Sequence, residues 1–538
     1  MNRNGRLMAK IGTALALIVL AEILIADGNG AVVGGFAFAW INALLLTRRA
    51  IWHDGLARPA LIAGAGLAAV LVDDPSVLGW VLFWTALSLA ALLPRHRFDD
   101  ALAWARRLGW HAMSAVVAPL KDTARLSMVR QRRGTSSGGI RAIGAVVALP
   151  LVGGAVFLGL FASANPLIGQ AFSRIVLPDP WAVTWRTVFG LCVLVTIWAS
   201  LRPSRRTTRA SRIDERSIGM VFEPGVATLI LSLVTFNVIF AVENALDIAF
   251  LWSGAGLPSG VTMADYAHRG AYSLIVTALL AAVFVLLALR PGSAAAASPL
   301  VRRLVMVWIV QNLLLVASSA LRTLDYVDAY GMTVLRLSAL AWMGLVATGL
   351  ALIGWRLLAG KSASWLINAN ALAAVTVLVA ASVVDLGATA AAWNVRTTLV
   401  RGKAGPPLDL CYMARLGSSS LVSLAMLEQH AKQPGLRDRL AYLRWESQVE
   451  TADGQAYWRR WTPRNGRRLA TVRAMFGTKA PRLRSAPDGR SCDGLILPPP
   501  MVEETLAPLP IQASKTSAPL PPSPTAPAPK PLTPGAQQ

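Results

Sequence analysis

Apolar runs of roughly 20 residues recur along this chain, and few folds can absorb so many of them. After a start that reads MNRNGRLMAKIGTALALIVLAEILIA, they fall at about 31–47, 58–72, 77–93, 140–162, 185–200, 225–250, 269–289, 302–323, 334–357 and 365–390. Each approaches the length of about 20 residues that a helix needs to cross a bilayer core. A soluble domain carries about 25% charged residues. Here the charged share is 15% and the hydrophobic share 54%. The expected fold class is all-α, a polytopic transmembrane helix bundle of about eleven helices.

Arg3, Arg6 and Lys10 precede the first run. A signal peptide is one reading of such a start. The length of the run and the lack of a clear small-x-small cleavage site favour a first membrane helix. The loops then alternate in charge. One set carries Arg48, Arg49 and Arg58, the basic stretch 94–141, Arg202 to Arg216, Arg290, Arg302, Arg303, Arg356 and Lys361. The other set carries Asp27, Asp73 and Asp74, then a region with Arg174 alone, then Asp265 and Asp325, so the alternation holds at nearly every crossing. Short loops rich in Lys and Arg stay on the cytoplasmic side. The N-terminus is therefore expected inside, and an odd helix count puts the C-terminus in the periplasm. The Arg-rich region after Trp393 pulls the other way, though long segments translocate largely regardless of charge.

The formal net charge is +24. In a soluble protein that balance would suggest nucleic acid. Here the cations sit in loops and the C-terminal region, so the expected partners are the bilayer and anionic lipid at its inner face, with no nucleic acid and no protein partner indicated.

Five stretches follow from the pattern. Residues 1–93 hold the N-terminal transmembrane helices, and 94–139 a basic cytoplasmic loop. Residues 140–392 form the transmembrane core, 393–479 a small C-terminal appendage, and 480–538 a disordered Pro/Ala-rich tail. Within the basic loop, Phe98, Leu102, Ala105, Ala112 and Val116 share one helical face and Arg106 and Arg107 turn away from it. Such a helix either lies on the inner membrane surface or packs on the bundle, and Pro119 is expected to end it.

The polar residues inside the apolar runs carry the site argument. A charged group at mid-membrane costs about 2.5–3.5 kcal/mol on insertion scales, so it faces the protein interior, a partner or water. At about 100° per residue, Asn237, Glu243, Asn244 and Asp247 fall within roughly a third of a helix circumference. Gln311, Asn312, Ser318, Ser319, Arg322, Asp325 and Tyr326 cluster the same way on a second helix. At about 1.5 Å per residue, Asn237 and the Gln311–Asn312 pair lie near mid-bilayer, with Glu243, Asp247 and Arg322 at similar depths toward the outer face. An ion pair there would lower the desolvation cost of both charges. The loops add an outer-face cluster: Asp265, Tyr266, His268, Arg269, Tyr330 and Arg336. Glu22 and Asp385, near outer helix ends, either join it or face headgroups. The same side chains also suit a network that only fixes helix packing.

Other motifs are weak. GTSSG at 134–138 matches G-x-S-x-G without a preceding strand, and reads as a flexible linker. No Cys or His spacing suggests a metal, and no fingerprint suggests a cofactor. Cys411 and Cys492, outside the apolar runs, pair if they face an oxidising compartment and stay reduced otherwise.

FNVIFAVENALDIAFLW, LPSGVTMADYAHRGAY and QNLLLVASSALRTLDYVDAYGMTVLRLSALAWMG, with LDLCYMARLG and YWRRWTPRNGRR further on, resemble a bacterial polytopic membrane family. That family is known only as a domain of unknown function, of the four-one-seven-three type and related to four-one-five-three. The resemblance covers roughly residues 225–475; Y-A-H-R-G-A-Y and A-Y-G-M-T-V-L-R are its most specific pieces. It implies an integral inner-membrane protein and supplies no activity, substrate or catalytic residue.

Three function classes remain open. The first is a non-enzymatic component that binds or moves a small solute or lipid through the seam around Glu243, Asp247 and Arg322. The absence of a clear inverted repeat counts against ordinary secondary transport. The second is a scaffold or signalling partner acting through the Arg-rich loops or the C-terminal part. The third is a membrane enzyme on a lipid-linked substrate with Glu243 or His268 as base.

Overall fold

The computed structural model describes residues 3–95, 98–132, 150, 153–154, 179–203, 225–249, 298–402, 405–484 and 489–497. The described residues are helical almost throughout, with no strand beyond one isolated bridge between Arg490 and Ile496. The helices are α1 (Arg3–Leu24), α2 (Val32–Thr47), α3 (Ala50–His53), α4 (Ala57–Asp73), α5 (Val77–Leu92), α6 (Ala101–Arg132), α7 (Pro180–Leu201) and α8 (Val226–Asp247). There follow α9 (Pro299–Tyr330), α10 (Val334–Ala359), α11 (Ala363–Val383), α12 (Leu386–Arg401), α13 (Leu410–Arg415), α14 (Leu421–His430), α15 (Pro434–Ala456) and α16 (Pro463–Phe476). Among the described residues, seven helices are long and apolar enough to cross a membrane. The expected runs at 140–162 (residues 150, 153 and 154 apart) and 269–289, and the GTSSG linker, lie outside the described residues.

Local chemistry sets the helix starts. Ser76, Asp179, Ser298, Thr333, Ser362, Asp385, Asp409 and Thr462 each accept a backbone N–H of the first turn, and Pro180, Pro299 and Pro463 follow three of them. These side chains satisfy N–H groups that the helix cannot pair itself. Asp385 corrects one expectation. The apolar run 365–390 is not one helix, because α11 stops at Val383 and the Asp385 carboxylate caps a new helix, bonding Ala388 N at 2.8 Å. Pro119 corrects another: it lies inside α6, which continues to Arg132. The helix is anchored on both sides of the proline, by buried Ala115 before it and by Asp122 after it, which bonds Trp198 Nε1 at 3.1 Å and pairs with Arg202.

Two cores fill the bundle. One joins α1, α2, α4, α5, α6 and α7 around Phe36, Trp40, Trp80 and Phe83, whose ring centroids lie 5.5–6.1 Å apart. The other joins α8, α9, α10 and α11 around Leu233, Phe240, Trp308 and Ile353. Helix α6 meets the bundle through Ala103, Trp104, His111 and Ala115, while Phe98, Leu102 and Val116 stay exposed.

Antiparallel succession gives the bundle two unlike ends. At the basic end, Lys10 donates to Leu201 O, Arg48 to Ser200 O and Ala91 O, and Arg95 to Pro203 O, at 2.8–3.1 Å. These cations cover carbonyls left over at the C-termini of α5 and α7. At the other end sits the appendage. Its core of Leu410, Met413, Leu424, Leu427, Leu440 and Leu443 includes Ala391 and Val395 of α12. It also buries an ion pair of Arg444 and Glu428 at 2.5 Å.

Arginines of the appendage clasp the loops of that end. Arg464 reaches Asp73 at 2.9 Å and Asp74 at 2.7 Å, Arg467 reaches Asp73 at 2.7 Å, Arg459 reaches Asp27 at 3.3 Å, and Arg468 pairs with Asp385. Backbone pairing reinforces the clasp: Gly30 N bonds Arg459 O and Ala31 N bonds Trp461 O, both at 2.8 Å. A Cβ on Gly30 would lie 2.5 Å from the Arg460 carbonyl carbon, so only glycine permits this approach.

The tail boundary at 480 is also corrected. Residues 489–497 fold back on α15: Arg490 bonds Asp438 at 2.7 Å, Arg439 bonds Asp493 at 2.6 Å, and Cys492 forms a disulfide with Cys411, Cα–Cα 4.9 Å. Burial would raise Asp438, but Arg490 and the Arg484 N–H hold its carboxyl below the usual value. Residues 498–538 lie outside the described residues.

Candidate functional site

The seam forms where α8 lies along α9. Polar residues on α8 follow the buried stripe Leu233, Asn237, Phe240, Asn244, Asp247, at the 3–4 spacing of one helix face. Gln311 Nε2 donates to Asn237 Oδ1 at 3.0 Å, and Asn237 Nδ2 donates to Leu233 O at 2.7 Å and Leu304 O at 3.1 Å. One step along, Asn244 Nδ2 donates to Phe240 O at 2.8 Å and Gln311 O at 3.3 Å. Next, Arg322 pairs with Asp247; they are 9% and 3% exposed. Three successive polar contacts thus tie one helix to the other.

Among the described residues, four expected members are not in these cross-helix contacts: Glu243, Asp325, Asn312 and Tyr326. Glu243 is exposed; it sits about 80° from the centre of the buried stripe at 100° per residue. Asp325 is exposed as well, on the outward side of α9. Asn312 is buried, but its amide nitrogen returns to Trp308 O of its own helix at 2.8 Å. Ser319 likewise bonds Leu315 O at 2.9 Å. Glu22 and Asp385, expected to join the outer-face cluster or face headgroups, pair instead with Arg186 at 3.0 Å and with Arg468.

A second polar site lies at the C-terminal end of α9, against the appendage. Tyr326, expected in the seam, instead packs at a tilt against Tyr330 (centroids 4.8 Å apart, planes at 54°) and beneath the Arg336 guanidinium, 4.1 Å above its ring. Arg336 also donates to Tyr330 O and Gly331 O. Asn394 of α12 clamps the turn between α9 and α10, accepting from Met332 N at 2.6 Å and donating to Met332 O at 2.8 Å. Tyr412 Oη accepts from Val334 N at 2.8 Å. Gly331 takes φ 80°, open to glycine, and meets Asn394 closely. These contacts wall a cavity of about 260 Å³ lined by Tyr330, Thr333, Arg336, Asp409, Tyr412 and Arg415, among others.

Of the expected outer-face cluster, Tyr330 and Arg336 come together here. Asp265, Tyr266, His268 and Arg269 lie outside the described residues. Asn394, Asp409, Tyr412 and Arg415 were not legible as site residues; the one sequence signal was Asp409, a helix-capping residue type just before the helical stretch that starts at Leu410. Among the described residues no group of three His, Cys, Asp or Glu side chains could hold a metal.

Electrostatics at this end centre on Asp385. Burial pushes its carboxyl up, but the Ala388 N–H, the Arg468 guanidinium and the Ser419 hydroxyl (2.9 Å) together hold it below the usual carboxylate value. Asp74, nearby, is raised by burial despite Arg464.

Long apolar helices joined by internally paired polar side chains define a multi-pass integral membrane protein. Within that class, the chain belongs to the family described as Domain of unknown function (DUF4153), which matches residues 60–427. This is the second of the two related types that the sequence resembles. The match starts earlier than the resemblance, taking in α4 and α5, and ends within α14. No curated protein and no solved structure matches the chain.

Proposed function

We propose that this protein is a non-enzymatic inner-membrane component that holds its C-terminal appendage on the periplasmic face and recognises a small solute or lipid headgroup there. The observation that carries this reading is the clasp. Arg459, Arg464 and Arg467 pair with Asp27, Asp73 and Asp74 of the acidic loop set, and Arg468 pairs with Asp385 at the start of α12. The opposite end holds Arg48, Arg95 and Arg202, the bias that keeps loops cytoplasmic. The Arg-rich composition after Trp393 then has a local reason: its cations neutralise loop carboxylates on the far side. The disulfide between Cys411 and Cys492 suits an oxidising compartment.

The seam supports this reading as a fixed scaffold rather than a passage. Its side chains bond one another across α8 and α9, which suits rigid packing better than a moving solute. An enzyme using Glu243 as base has less support, since Glu243 faces away from the paired groups.

Reporter fusions after Leu497 test the sidedness. Alkaline phosphatase should be active there and a cytoplasmic fluorescent reporter dark. The reverse pattern would overturn the periplasmic assignment and with it this reading.

A further inference from the structure

We propose that the cavity at the C-terminal end of α9 is a phosphate-binding site, with Arg336 and Arg415 as its cationic contacts and the Tyr330 and Thr333 hydroxyls as flanking donors. The proposal rests on the periplasmic reading only for where the phosphate comes from; the site itself stands on geometry.

The walls are preorganised. Asn394 and Tyr412 hold the turn 331–334 by three hydrogen bonds of 2.6–2.8 Å. Arg336 is fixed over the Tyr326 ring and by Nη1 to two carbonyls, while a guanidinium carries five N–H donors in all. Among the described residues its remaining donors have no partner. Arg415, from α13, also lines the cavity and is exposed, with no hydrogen-bond or ion-pair partner among the described residues. The one carboxylate in the lining, Asp409, caps α13 by accepting Tyr412 N at 2.8 Å.

The donor set decides the ligand class. Two guanidinium groups arrive from different elements, and the Tyr330 and Thr333 hydroxyls line the same cavity. A carboxylate has two oxygens and is satisfied by a single arginine fork. A phosphate offers more oxygens in three dimensions and suits two arginines plus hydroxyls. At about 260 Å³ the cavity admits a phosphate with a small substituent and excludes anything drug-sized. Both a free phosphate and a phospholipid headgroup satisfy this chemistry, since the cavity lies at the end of a membrane-spanning helix.

Full-length protein purified in detergent should bind inorganic phosphate by calorimetry, with acetate at least tenfold weaker. In nanodiscs, a headgroup site would instead show as phosphatidylglycerol retained against excess phosphatidylcholine. Arg415→Gln removes a side chain with no structural bond, so it should keep the wild-type melting temperature and lose binding at least tenfold. Arg336→Gln should abolish it, and Arg336→Lys should restore part. Phosphate binding lost in these variants supports a free solute; lipid retention lost in them supports a headgroup. No binding of either, acetate as tight as phosphate, or binding unchanged in both Gln variants would overturn the site. Sidedness is read separately by the reporter fusions, so the two ideas can fail independently.

Discussion

Helix α9 carries two polar sites, and they treat their side chains in opposite ways. Along its buried face, Gln311 and Arg322 are joined to Asn237 and Asp247 across the helix pair. At its end, Arg336 and Arg415 border a cavity and keep donors open. Burial explains the contrast. Between the two helices no water competes, so a polar group must find its partner within the protein. At the helix end water satisfies a free guanidinium at little cost, and a ligand can displace it. The proposed recognition site thus lies at the end of the helix, and the buried pairs form the joint that ties α8 to α9.

The largest effect expected from breaking this contrast lies in the joint. Arg322→Gln leaves the Asp247 carboxylate buried without its partner, and losing one half of a buried pair costs about 3–5 kcal/mol. The melting temperature and yield of purified protein should fall sharply. Adding Asp247→Asn should return most of the loss, because two neutral groups can bond each other. A single variant as stable as the wild type would mean the pair contributes nothing to packing.

An intermediate effect is expected at the clasp, and it depends on pH. Asp385 is held below its ordinary value of 3.8 in the folded protein. Its contribution is therefore complete above that value and disappears as pH falls through the lower folded value. Protease cleavage between α11 and the appendage should be slow at neutral pH and faster below about pH 4. Asp385→Asn should give the fast rate already at neutral pH. Equal rates at both pH values in the wild type would remove Asp385 from the clasp.

How much of this could be read from sequence follows from the same physics. The seam was legible because charged residues inside apolar runs are rare and helical spacing gathers them. The break after Val383 was not, because apolar residues continue on both sides of the Asp385 cap. The clasp was hidden differently. Arg464 and Asp73 lie 391 positions apart, and each alone reads as an ordinary loop charge. The cavity needs Asn394 and Tyr412 folded onto residues 331–334, and no local pattern announces that contact.

The smallest effect should come from Glu243, and it sharpens the comparison because composition alone places this residue in the seam. Asn237, Asn244 and Asp247 hold the buried stripe, and Glu243 stands off it in an exposed position. A side chain outside any network changes stability by about 0.5 kcal/mol or less when replaced. Glu243→Gln should therefore leave the melting temperature and phosphate binding unchanged, and it should not rescue Arg322→Gln. Rescue by Glu243→Gln would show that Arg322 balances both carboxylates, and the seam would then extend around the helix to the exposed face that holds Glu243.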